Sequence, residues 1–149
     1  MAGYTRVNLR SDVQDMAPKF GMEGMESRFA RTNLDLENSG LSYFRLDRGY
    51  RTPFGHTHSE QEEVYVVVSG SARVAVDDEV VELTQWDALR IPSGTMRGME
   101  AGDEGAEILA IGARTPTTRT SRCSQAGGQR AASGARPWPT RGPCRARCA

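Results

Sequence analysis

The sequence predicts an all-β fold, a sandwich or barrel of short strands. Three observations carry this. "RFARTNLDL" (residues 28–36) and "LSYFRLDRGY" (41–50) alternate apolar and polar side chains, the period of a half-buried strand. "EVYVVVSG" (63–70) is a nearly continuous apolar run, as in a strand covered on both faces. Turn signals recur roughly every ten residues, as in sandwiches and barrels.

Helix is expected only near the start, in "SDVQDMAPKF", where Ser11 offers a cap and Pro18 cuts the helix short. Met16, Met22 and Met25 read as part of a flexible N-terminal arm over residues 1–27. Two strands follow in the alternating segments, and a third runs to the Ser69-Gly70 turn. "SARVAVDDEVVEL" reads as two strands joined at Asp77-Asp78, with Asp77, Asp78 and Glu79 in solvent. "ALRIPSGTMRGME" is a strand, a Pro-Ser-Gly turn and another strand, and "AEILAIG" is the last. The barrel is therefore expected over residues 28–112.

Charge divides the chain. Residues 1–112 hold all 19 acids and 11 of the 19 basic residues, a balance of −8. Residues 113–149 hold eight arginines and no acid, and Trp138 is their only large apolar side chain. Such a segment cannot bury enough surface to offset its ordering entropy, which predicts a disordered basic tail. Its composition is also what GC-rich DNA yields when read out of frame. A frameshift near Ala113 that replaced the natural C-terminus is thus the reading of this tail, with a genuine basic tail as the alternative, and resequencing the gene would test it. The three cysteines, Cys123, Cys144 and Cys148, all fall in this tail, so no disulfide framework is expected in the body. There is no signal-peptide pattern and no span long enough to cross a membrane, so a cytoplasmic protein is expected. Nucleic-acid binding would rest on the tail alone, against an acidic body.

The chemistry concentrates in "FGHTHSEQEEVYVVVSG" (54–70), which holds the only two histidines, His56 and His58. On an extended strand, residues i and i+2 face the same way, so both imidazoles can aim into one cavity. Glu62 or Glu63 can add a carboxylate. Two histidines and one carboxylate form the triad that holds a divalent transition metal and leaves coordination positions open. The plain alternative is a polar loop with two solvated histidines.

These residues resemble the cupin family, jelly-roll β-barrels. His56-x-His58, four residues, Glu63, six residues and Gly70 match the spacing of the family's first motif. The resemblance selects Glu63 over Glu62 as ligand. Pro92-x-Gly94 matches part of the second motif, but Trp86 stands at its first glycine, Arg97 at its histidine and Ala101 at its asparagine. Arginine stays protonated and cannot ligate a metal. Three outcomes follow: a three-ligand metal site with waters, an Arg97 that holds a substrate carboxylate or phosphate, or an Arg97–Glu63 pair that replaces the metal.

The resemblance implies a divalent metal (Fe, Mn, Ni or Zn) on His56, His58 and Glu63. Arg97, standing where the family has a histidine, and Tyr65, two residues from Glu63 and so on the same face, are the residues expected to meet a small, anionic organic ligand. The resemblance also implies a metal-dependent dioxygenase or isomerase, with a metal-free ligand-binding barrel as the alternative, and a homodimer. Tyr43, Phe44, Phe54, Trp86, Met96 and Met99 are further candidates to line the cavity, most of them expected to be ordinary core.

Overall fold

The computed structural model describes residues 3–114, the last of them by its backbone only. The expectations for the tail beyond residue 114 lie outside the described residues. Six strands form: β1 (Met25–Phe29), β2 (Ser39–Leu46), β3 (Gln61–Val76), β4 (Glu79–Leu83), β5 (Ala88–Ile91) and β6 (Arg97–Arg114). They build one antiparallel hydrogen-bonded sheet in the order β1-β2-β6-β3-β4, with β5 also on β3. The only helix among the described residues is a 3₁₀ turn, Ala17–Phe20, started by Pro18 and closed by Gly21 in the left-handed region.

Two long strands turn this sheet into a barrel. The first half of β3 pairs with β5 and its second half with β4, while β6 follows β3 along its whole length. The register slips between Val67 and Ser69 and again between Gly70 and Ala72. At the second slip Gly70 (φ 72°) and Gly105 (φ 80°) meet, and a Cβ on Gly70 would overlap the Gly105 carbonyl. Glycine is required here because both the backbone angle and the close approach exclude a side chain. Ser69-Gly70 therefore bends a continuous strand, where the sequence suggested its end. "RGME" and "AEILAIG" likewise belong to one bent strand.

Both halves contribute to one core. Tyr65, Val67, Ile91 and Ile108 from one end pack in the same cluster as Val74 and Met99 from the other. The half-buried Val64, Val66 and Val68 alternate with the buried Tyr65 and Val67, so the apolar run is covered unequally on its two faces.

Two elements depart from expectation. Residues 31–35 form turns, so the first strand lies at Met25–Phe29. Leu34 and Leu36 donate to the Ala30 and Arg31 carbonyls, and Asp35 sits at φ 56°, a conformation its short polar side chain tolerates. The predicted Ser11 helix is also replaced. Asn8 Oδ1 accepts from Arg10 and Ser11 N–H, and Asp15 Oδ1 accepts from Ala17 and Ser27 N–H. Val13 and Ala17 are buried, and Met25 belongs to the core.

Candidate metal centre

Three backbone devices bring the site together. The segment carrying the histidines runs beside β6: His56 and Arg97 exchange N–H···O bonds, each 2.9 Å. Gly94 N–H donates to the His58 carbonyl (2.7 Å), tying the Pro92-Ser93-Gly94 turn to the second histidine. Glu63, at the start of β3, is opposite Ile91 of β5 and Gly112 of β6. The two sequence motifs thus meet through main-chain bonds. Gly55 matters as well, since a Cβ there would crowd the Met96 sulfur and the Arg97 carbonyl.

One ligand atom from each of His56, His58 and Glu63 lies within 4.8 Å of the other two. The imidazoles meet edge to face, with centroids 5.0 Å apart. Glu63 faces two partners: Oε1 is 3.2 Å from His58 Nε2 and Oε2 is 3.3 Å from Arg97 Nε. The Arg97 side chain is completely buried and that of Glu63 is 12% exposed. Arg97 Nη1 donates to the Thr95 carbonyl (2.9 Å) and lies 3.4 Å from that of His56. Arg97 Nε and Nη2 and Glu63 Oε2 are buried with no partner of hydrogen-bonding geometry.

The electrostatics follow from this crowding. Burial opposes ionisation of Glu63, but the His58 hydrogen bond and the charges of His58, Arg97 and His56 outweigh it and hold the carboxyl below its ordinary range. Desolvation lowers His56 to about 4; Glu63 opposes that shift, and His58 and Arg97 add to it. Taken as a whole residue, His56 is exposed, although its imidazole is desolvated enough to be shifted. Tyr65, 1% exposed, lies beside Glu63 and Arg97; burial pushes its phenol far up and the Glu63 charge adds to the effect.

The donor set fits a divalent transition metal. Two imidazoles and a carboxylate converge from two elements, and Glu63 Oε2 has no hydrogen-bond partner. The five residues singled out by sequence, His56, His58, Glu63, Tyr65 and Arg97, therefore lie together. Glu62 is turned away and pairs with Arg90 (2.7 Å). Other aromatic and methionine candidates go elsewhere: Phe54, Trp86 and Met96 are exposed, Met99 is core, and Tyr43 bonds Glu107 on the opposite face from Phe44.

Residues 42–112 match the family model described as Cupin domain. Residues 42–112 thus form a cupin domain, and solved cupins have the same fold. A cupin protein from Bacteroides fragilis is 23% identical, with TM-score 0.64 over 87% of this chain and 99% of its own. A sugar phosphate isomerase of the cupin superfamily from Silicibacter pomeroyi is 23% identical, with TM-score 0.61 over 75% of this chain and 77% of its own. A Bacillus subtilis oxalate decarboxylase with Mn(II) centres is 25% identical, with TM-score 0.62 over 81% of this chain but 33% of the decarboxylase. No curated protein matched the chain. No described helix is long and apolar enough to cross a membrane.

Proposed function

We propose that this protein binds a divalent transition metal on His56, His58 and Glu63 and receives a small organic anion at Arg97 and Tyr65, as a metal-dependent enzyme of the isomerase or dioxygenase kind. The observation that carries this reading is the convergence of the three ligand atoms within 4.8 Å. The isomerase and the Mn(II) decarboxylase among similar folds support it. A bound metal would act as a Lewis acid on a substrate oxygen. The chain's own residues would do the rest. His56 and His58 offer imidazole nitrogens, Glu63 offers a carboxylate, and the buried Arg97 holds the anionic end of the substrate in one orientation. The reading includes a homodimer, which sedimentation equilibrium checks.

One observation favours a second reading, a metal-free ligand-binding barrel: the 3.3 Å approach of Arg97 to Glu63 puts a fixed cation on the carboxylate that the metal would use. Metal content of the purified protein, beside a His56→Ala/His58→Ala double variant, separates the two. The metal reading expects near-stoichiometric iron, manganese, nickel or zinc in the parent and none in the variant. Absence of metal from both, even after incubation with these ions, selects the metal-free barrel.

A further inference from the structure

We propose that this centre is a paired-ion site: a divalent cation on His56, His58 and Glu63 and a small oxyanion on Arg97 bind cooperatively, each raising the affinity for the other. The inference rests on the metal reading above, and its origin is the division of one carboxylate between two cations.

A guanidinium carries five N–H donors and a permanent charge. Arg97 is buried completely, and only its Nη1 finds acceptors, the Thr95 and His56 carbonyls. Nε and both hydrogens of Nη2 have no bonded acceptor. Charge compensation comes from Glu63, whose Oε2 is 3.3 Å from Nε without the alignment of a hydrogen bond. The same carboxylate presents Oε1 to His58 and belongs to the donor triad.

A dication on the triad therefore draws on the only negative charge beside Arg97 among the described ion pairs. Two positive centres then share one carboxylate in a poorly solvated interior, and repulsion between them is weakly screened there. This opposes binding of the cation alone. Nε and Nη2 lie on one edge of the guanidinium, the fork that takes two oxygens of a carboxylate or phosphate-type group side by side. An oxyanion there supplies the missing acceptors and offsets the charge that the cation adds. Linkage makes the effect reciprocal, so the cation raises anion affinity by the same factor.

The test is Mn²⁺ binding to the full chain, read from the free-ion EPR signal at fixed ionic strength. Titrations run with chloride only, with acetate and with methyl phosphate, and with the Arg97→Gln variant beside the parent. The expected result is an Mn²⁺ dissociation constant about tenfold tighter with one or both oxyanions. The larger response distinguishes a carboxylate from a phosphate-type ligand. Arg97→Gln is expected to bind Mn²⁺ more tightly than the parent in chloride and to show no response to either anion. Mn²⁺ binding by the parent that neither anion changes overturns the inference and leaves the metal reading standing. A response that persists in Arg97→Gln overturns it as well. No Mn²⁺ binding by the parent under any condition overturns both. The parent titrations decide the matter alone if Arg97→Gln does not fold.

Discussion

Strand β6 carries two buried ion-pair clusters three residues apart, on opposite faces. Arg97 points inward with Met99 and Ala101, while Glu100 lies on the other face beside Arg73 of β3. Glu100 is well served: Oε1 accepts from Arg73 (3.1 Å) and Oε2 from Arg51. Arg97 is poorly served, with Nε and Nη2 unbonded and its carboxylate partner shared. The two clusters thus differ in degree: both oxygens of Glu100 are bonded and only Arg73 Nε is left without a partner, whereas around Arg97 two nitrogens and a carboxylate oxygen are unbonded. A cluster that mainly holds strands together can close most of its hydrogen bonds, whereas one that receives ligands must leave more open. The outer cluster clamps the Arg51 segment onto β6, and five residues further on the same segment presents His56 to the inner one.

The largest expected effect separates the two clusters at Glu63. Glu63→Gln leaves the fully buried Arg97 without its counter-charge, and removing one partner of a buried pair costs about 3 kcal/mol or more. Urea unfolding of the metal-free protein should show that loss. Glu63→Gln/Arg97→Met removes both charges and should return to within about 1 kcal/mol of the parent, since apolar replacement of a buried pair is often neutral. If the double variant is as unstable as the single one, Arg97 and Glu63 do not act as a pair and the contrast with Glu100 fails.

Replacing Glu100 should do less. Glu100→Gln weakens two guanidinium contacts, but the Arg51 side chain is 45% exposed and can return to water. A loss of about 1 to 2 kcal/mol is expected. Mn²⁺ affinity should stay within about twofold, because this cluster faces away from the ligands. A stability loss matching that of Glu63→Gln, or a large change in metal affinity, would erase the distinction between the faces.

Much of this organisation is visible before any coordinates. Alternation and the Asp77-Asp78 turn predict the strands, because one-sided burial imposes a period of two and an αL turn tolerates aspartate (Asp77 has φ 50°). The i, i+2 spacing of His56 and His58 suggests two imidazoles on one face, whereas the choice of Glu63 over Glu62 rests on the resemblance to the cupin first motif. What the sequence hides is non-local. Gly70 reads as a strand end because its partner in the bend, Gly105, is 35 positions away and supplies the reason for the glycine only in the folded chain. Gly55 carries no periodic signal, as its role is to admit the strand bearing Arg97. The satisfied state of Glu100 and the unsatisfied state of Arg97 cannot be told apart in one dimension, because both read as charges on an alternating strand.

The smallest expected effect lies farther along the outer face, where Tyr43 donates to Glu107 (2.9 Å). Burial, then the Glu107 hydrogen bond and its charge, push the Tyr43 phenol up from 10.0 to about 12. As pH rises above 10 the unfolded phenol ionises first, so the unfolded state binds fewer protons than the folded one. This contribution to stability is complete below pH 10 and is lost as pH climbs through about 12. Tyr43→Phe should cost about 1 kcal/mol at neutral pH. It should also flatten the fall in unfolding free energy over the alkaline range. Tyr50 and Tyr65 are shifted upward as well, but both remain in the variant, so the difference between the two pH curves isolates Tyr43. A difference that does not change with pH would mean that the Tyr43–Glu107 contact does not hold the phenol proton, and that this part of the outer face is packed without being hydrogen-bonded.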